Sequence, residues 1–247
     1  MTKKYKHYGL VGYPLSHSFS PSYFRQFFLD QKIDWASYEL FPVQDLSKIT
    51  SLLQNVDGVN VTIPYKQEII PYLDNISKEA EEIKAVNCIK VSNGKTTGYN
   101  TDIYGFKNSL MGFISGTDIK NALILGDGGA AKAVKHVLKQ INIPFKIVSR
   151  TRGDVSYEEL TANTISNCRL IINTTPLGMY PDVEKQPKIP YNAINESHFL
   201  FDLVYNPEKT LFLNSGLAKG AKVKSGYEML ILQAQKSWDI WTNNQIQ

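Results

Sequence analysis

The chain has 247 residues, 43% hydrophobic and 20% charged, with a net charge of +4 and 2 cysteines. That length suits one large domain or two small ones with ample core, and the near-average composition excludes disordered, collagen-like and disulfide-scaffold chains. Apolar runs such as Ala122–Leu125 and Leu170–Ile172 are too short to span a bilayer, and the small positive excess is no dense basic stripe for nucleic acid.

In chain order, strands are expected at Tyr8–Tyr13, Ser37–Phe41, Gly58–Thr62 and Asn87–Val91. Ser92-Asn93-Gly94-Lys95 then turns into a strand at Thr96–Tyr99, an Asn-Gly hairpin. The intervening helices are expected at Pro21–Asp30, with Ser20 as cap and Pro21 in the first helical position, and at Val43–Gln54, Tyr65–Leu73 and Ser77–Lys84.

Beyond Asp102 the pattern changes. Helix Ile103–Phe113 leads through a Ser-Gly-Thr-Asp loop to strand Asn121–Leu125, a glycine-rich turn and a helix ending at Gln140. Strand Phe145–Val148, helix Tyr157–Ala162, strands Leu170–Asn173 and Phe199–Leu203, helix Pro207–Lys219 and a short strand near Val223 follow. The last helix, Tyr227–Trp241, has no strand after it. Alternating short strands and helices indicate an α/β protein. A terminal helix returning to the first half makes two domains, 1–102 with 226–247 and 103–225.

Gly126-x-Gly128-x-x-Ala131 lies after a strand and before a helix, the context a dinucleotide turn requires. The first glycine permits the turn, the second admits a pyrophosphate, and the helix start offers N–H donors. At the end of the next strand an NAD site places an acid on the ribose, whereas this chain has Ser149-Arg150-Thr151-Arg152. A guanidinium binds a 2′-phosphate as a fork, so the expected cofactor is NADP; the competing reading is two solvated arginines on a loop. Asp127, inside the turn, is a carboxylate where phosphate is to bind.

Polar segments stand at strand ends in the first half: Ser16-His17-Ser18, Asn60 to Lys66, Asn87 and Asn100-Thr101-Asp102. Each has a plain explanation, as a cap, a backbone bond or a solvated lysine. Together they offer hydroxyls, amides, one ammonium and one carboxylate, which suit a small polyhydroxylated acid. The four histidines are scattered without metal-ligand spacing, so no metal is expected.

These segments, with Gly12–Ser18, Ala85-Val86-Asn87, Gly98–Asp102, Asn173-Thr174-Thr175-Pro176-Leu177-Gly178-Met179, Asp202–Pro207 and Gly226–Gln233, resemble the shikimate dehydrogenase family over nearly the whole chain. The resemblance implies a split N-terminal α/β substrate domain and a Rossmann-type NADP domain. It implies that Ser16, Ser18, Thr62 and Tyr205 bind the substrate carboxylate, that Asn60, Asn87 and Gln233 bind ring hydroxyls, and that Lys66 and Asp102 are the catalytic pair. The cofactor set it implies is Gly126, Gly128, Gly129, Ala130, Ser149, Arg150, Thr151, Thr174, Met179, Val204 and Gly226. Departures are Cys88 for a common threonine, Ser149 for asparagine and Asp127 for a small residue.

The implied reaction interconverts 3-dehydroshikimate and shikimate in aromatic amino-acid biosynthesis, with Lys66 as proton donor in the reducing direction and Asp102 orienting it. Two alternatives stand beside it: a quinate/shikimate dehydrogenase using NAD or NADP, and a non-catalytic dinucleotide-binding regulatory module. The expected partner is a small molecule, without nucleic acid or membrane, for a cytoplasmic monomer or homodimer. Isolated Cys88 and Cys168 fit that compartment, and no apolar signal core follows Met1–Lys6.

Overall fold

The computed structural model describes residues 4–16, 18–151 and 153–242; His17 and Arg152, singled out above, lie outside the described residues. The chain forms two compact units, Met1–Thr101 with Ala234–Gln247, and Asp102–Gln233.

In the first unit β1 (Lys6–Gly12), α1 (Ser20–Asp30), β2 (Ala36–Pro42), α2 (Ile49–Leu53), β3 (Gly58–Val61), β4 (Asn75–Ile76), α3 (Lys78–Ile83), β5 (Cys88–Ser92) and β6 (Lys95–Tyr99) build a six-stranded sheet of order β2-β1-β3-β5-β6-β4. Strands β1, β2 and β3 run parallel, and β5 runs antiparallel to both β3 and β6. Because side chains alternate across a strand, neighbours feed opposite cores. Ile89 joins Val11, Ile49, Val59 and Val61 on one side, while Cys88 joins Tyr8, Phe24 and Trp238 on the other. The second core is aromatic: Tyr8 stacks on Trp241 at 4.8 Å, and the Trp241 indole N–H donates to the Ile89 carbonyl at 2.9 Å. Burying each such side chain contributes roughly 1.5–3 kcal/mol.

Several elements differ from the pattern-based reading for local reasons. Ser20 is the first residue of α1 rather than its cap; Phe19 precedes the helix and makes no side-chain cap bond. The helix expected over Val43–Gln54 starts late, because Val43 N–H donates to the Gly12 carbonyl and Asp45 accepts from Ser47 N–H at 2.9 Å, giving a 3-10 turn before α2. The helix expected over Tyr65–Leu73 is a run of turns, with 3-10 geometry only at Ile70–Tyr72. Tyr65 explains this: its ring is buried and its hydroxyl donates to the Val43 carbonyl at 2.6 Å, folding the segment onto the sheet.

The second unit holds α4 (Thr101–Phe113) from Asp102 onward, β7 (Ala122–Leu125), α5 (Gly129–Gln140), β8 (Phe145–Val148), α6 (Ala162–Ser166), β9 (Leu170–Asn173), β10 (Phe199–Asp202), α7 (Leu211–Leu217), β11 (Lys222–Lys224) and α8 (Tyr227–Thr242) up to Gln233. Its five strands are all parallel in the order β11-β10-β9-β7-β8. Strands β7, β9 and β10 are buried throughout, as their unbroken apolar runs require. Helix α6 begins at Ala162, not Tyr157, where the Thr161 hydroxyl accepts from Thr164 N–H at 3.2 Å. Likewise α7 begins after Thr210, which accepts from Leu213 N–H.

By compactness the units divide at Ala234, and Asp102 groups with the second unit. The first half of α8 packs on α4: a Cβ at Gly105 would stand 2.6 Å from the Met229 carbonyl, and Ser109 donates to Glu228 at 2.7 Å. Among the described residues no helix is long and apolar enough to cross a membrane.

Candidate active site

In the first unit the strand directions gather one edge. With β1 parallel to β3 and β5 antiparallel to both β3 and β6, the C-terminal ends of β1, β3 and β6 share that edge with the start of β5. The segments carrying Ser16, Ser18, Thr62, Lys66, Asn87 and Thr101 all leave from it. Ser16 is exposed, while Ser18 folds its loop by donating to the Leu15 carbonyl at 2.9 Å. Thr62 N–H donates to the Val11 carbonyl at 2.9 Å, tying the two loops together.

Asn87 is the hub. It is buried, its backbone bonds to Val61 and Tyr99, and its side-chain oxygen accepts from Thr101 N–H at 2.6 Å and Thr101 hydroxyl at 3.2 Å. The preceding residue, Val86, donates its N–H to the Lys66 carbonyl at 2.7 Å. The Lys66 turn and the residue before Asp102 are thus fixed to one dipeptide. Lys66 stands half-buried in this turn and not on the helix expected there.

Asn60 faces inward. Its oxygen accepts from the Tyr38 hydroxyl at 2.9 Å, and its amide donates to the Asn87 carbonyl at 3.2 Å and to the Ser237 hydroxyl at 2.8 Å. Ser237 also lies 3.2 Å from the Thr101 hydroxyl. Sequence reasoning missed Ser237 and Tyr38; the available signal was a hydroxyl on the face of α8 otherwise made by Ala234, Trp238 and Trp241. Full satisfaction of these buried groups fixes their geometry. Cys88, beside them, is no nucleophile, since burial pushes its thiol up to about 12.

In the second unit Asp102 lies in the first turn of α4, where a carboxylate is stabilised by the helix dipole. Gln233 stands against the next turn, its Cβ 3.1 Å from the position of a Cβ on Gly105. The parallel sheet changes winding direction between β7 and β9, so the crevice for a ligand lies at their C-terminal ends.

That crevice is shaped by glycine. Gly126 has φ +102, and a Cβ there would meet Thr175 at 2.8 Å and Thr174 at 3.0 Å. At Gly128 and Gly129, by contrast, a Cβ meets nothing within 4 Å, and Gly128 has an extended φ of −83. The protein's own packing therefore does not demand glycine at these two positions, and the turn is left open to close approach of a ligand. Gly128 also leaves the start of α5 without a side-chain cap, and Ala130 lies in its first turn. Uncapped N–H groups and open space over the turn fit a pyrophosphate. Asp127, the acid inside the turn, is paired with Lys135 at 2.6 Å.

Thr174 closes the far wall by donating to the Leu125 carbonyl at 2.9 Å. Behind it Asp202 is wholly buried and accepts from Asn173 at 2.9 Å, Val204 N–H at 3.0 Å and Thr210 at 2.6 Å. Burial pushes this carboxyl up to about 6 against those three donors. Gly226 N–H donates to the Val204 carbonyl at 3.1 Å, and a Cβ at Gly226 would collide with the Leu203 carbonyl. Met179 is 45% exposed, and burial raises the Tyr205 hydroxyl above its ordinary range.

After β8, Ser149 N–H donates to the Val155 carbonyl and its hydroxyl accepts from Thr151 N–H at 3.3 Å, leaving Arg150 exposed. Gly153 makes this tight loop possible, since a Cβ would stand 2.6 Å from Ser149 N. Asp154 is turned back to accept from Ile147 N–H at 2.8 Å. Among the described residues no group of three or more His, Cys, Asp or Glu is placed to hold a metal ion.

Comparison with known proteins adds an independent line. Residues 10–89 match the family model for the shikimate dehydrogenase substrate binding domain. A shikimate dehydrogenase (NADP(+)) of Clostridium beijerinckii is 42% identical, over 97% of this chain and 93% of that protein. The crystal structure of shikimate 5-dehydrogenase from Thermus thermophilus in complex with NADP(H) and shikimate superposes with a TM-score of 0.84 at 32% identity, covering 96% of this chain and 94% of that one. Quinate dehydrogenase from Corynebacterium glutamicum, in complex with NAD, reaches 0.88 at 24% identity over 97% and 94% of the two chains, a likeness of fold alone.

Proposed function

The chain belongs to the shikimate dehydrogenase family, and from that premise we propose that it interconverts 3-dehydroshikimate and shikimate with NADP, a step of aromatic amino-acid biosynthesis. One observation supports the assignment of roles: the Lys66 carbonyl and the amide of Thr101, the residue before Asp102, are both bonded to the pair Val86-Asn87.

Reduction of the ketone builds negative charge on the carbonyl oxygen. The Lys66 ammonium stabilises that charge and delivers its Nζ proton to it; in the reverse direction the neutral amine takes the proton back. Asp102 accepts a hydrogen bond from the Lys66 ammonium or the substrate hydroxyl and orients both. Ser16 and Thr62 donate hydroxyls to the substrate carboxylate with help from Tyr205, joined by Ser18 once its hydroxyl turns away from the Leu15 carbonyl, while Asn87 and Gln233 bind ring hydroxyls. Asn60 shares that role through its oxygen, which accepts from the Tyr38 hydroxyl and has a second lone pair, since its two amide protons are held by the Asn87 carbonyl and the Ser237 hydroxyl.

When bound, the reduced cofactor NADPH would supply the hydride for reduction and the oxidised form NADP+ would accept it in the reverse direction. Gly126, Gly128, Gly129 and Ala130 would hold its pyrophosphate, Ser149, Arg150 and Thr151 its 2′-phosphate, and Thr174, Met179, Val204 and Gly226 the wall around its nicotinamide. In this reading the substrate-binding catalytic domain is 1–102 with 226–247, and the NADP-binding domain is 103–225. Two buried free thiols suit a cytoplasmic enzyme, monomeric or homodimeric.

The test is initial-rate assay of shikimate and quinate, each with NADP+ and NAD+, followed by absorbance of the reduced cofactor. Shikimate with NADP+ is expected to exceed every other pair in kcat/KM by at least about tenfold. Faster turnover of quinate, or of NAD+, assigns the chain to the broader quinate/shikimate activity. No turnover with any pair assigns it to a non-catalytic binder.

A further inference from the structure

We infer that Lys135 is a charge-compensating residue of the phosphate turn, cancelling Asp127 so that an acid is tolerated where a dianionic pyrophosphate binds. Asp127 lies between Gly126 and Gly128, on the turn whose neighbours at 128 and 129 face open space. Left alone, its carboxylate repels phosphate and opposes the donors at the start of α5. Lys135 reaches back along α5 and meets it at 2.6 Å, with side chains only 27% and 20% exposed. At that exposure the pair is sheltered from solvent screening, and its summed charge at the turn is near zero. The contact also ties the loop to its own helix, so the turn is shaped before a ligand arrives. The inference rests on the NADP reading of this turn.

Equilibrium binding of NADP+ and NAD+ by calorimetry tests it, with thermal unfolding of each variant as a check on folding. Lys135→Met is expected to weaken both dinucleotides about tenfold, because both carry the pyrophosphate. Asp127→Asn with Lys135→Met is expected to restore binding to within about threefold of the parent, as is Lys135→Arg alone. If Lys135→Met destabilises the unit, Lys135→Gln serves for the same comparison. Three outcomes overturn the inference: Lys135→Met binding like the parent, a penalty confined to NADP+, or a double variant as weak as Lys135→Met. The last would make Lys135 a direct phosphate ligand. A parent that binds neither dinucleotide overturns the NADP reading, and this inference with it.

Discussion

The two ligand-facing edges of this molecule are built by opposite means. The edge of the mixed sheet is specified by side chains: the amides of Asn60 and Asn87 and the hydroxyls of Tyr38, Thr101 and Ser237 form one connected network. The edge of the parallel sheet is specified by their absence, through Gly126, Gly128 and Gly129 and the backbone N–H groups of α5. A small polyhydroxylated acid must be told apart by its hydroxyl pattern, which needs fixed polar side chains. A pyrophosphate is the same in every dinucleotide, so backbone suffices for it. Where the cofactor must be distinguished, at the 2′-phosphate, the proposed reading brings side chains back as Arg150 and its neighbours.

That contrast predicts different sensitivities. The largest expected effect is at Lys66. Lys66→Met keeps the stem and removes the proton, and kcat for shikimate should fall about a thousandfold while KM changes less than about threefold. Steady-state kinetics decide this, and unchanged turnover removes Lys66 from the chemistry.

A second effect belongs to the parallel-sheet unit and is read in stability. The Asp202 carboxyl, ordinarily titrating near 3.8, is pushed up to about 6 by burial. Between those values the folded protein keeps a proton that the unfolded chain has released, so this group's contribution falls as pH rises through the interval and stays flat above it. The span is at most about 3 kcal/mol. Urea unfolding from pH 4 to 7 should show that decline for the parent and a flatter profile for Asp202→Asn. Identical profiles contradict it.

The smallest effect sharpens the distinction between backbone and side-chain recognition. Arg150→Leu should raise KM for NADP+ about tenfold and leave NAD+ nearly unchanged, since in the proposed reading the exposed guanidinium serves the 2′-phosphate. An equal penalty on both cofactors places Arg150 elsewhere.

How much of this was legible in the chain follows the same line. The central parallel-sheet strands β7, β9 and β10 were read almost to the residue because each holds a run of three or four apolar residues, and Leu170–Asn173 and Phe145–Val148 match outright. Local periodicity failed where a distant partner decided the backbone. The Tyr65 hydroxyl bonding Val43 converts an expected helix into turns, and the Asp45 cap shortens its neighbour. The site motifs were readable as motifs, but inward and outward amides are alike in sequence. Nothing in Asn60-Val61-Thr62 tells that Asn60 faces Tyr38 and Ser237, because Ser237 is 177 residues away. The Asp127 carboxylate, troubling by itself, became intelligible only with Lys135 beside it.

The most direct test of this division of labour is a crossed binding measurement by calorimetry, using Thr62→Val and Gly128→Val. A Cβ at 128 meets no protein atom within 4 Å, so the substitution is expected to obstruct a ligand and not the fold. Thr62→Val should weaken shikimate about tenfold and leave NADP+ within about twofold, and Gly128→Val should do the reverse. Loss of both ligands in either variant, or of the wrong one, would contradict the assignment of substrate to the amide-and-hydroxyl edge and cofactor to the glycine edge.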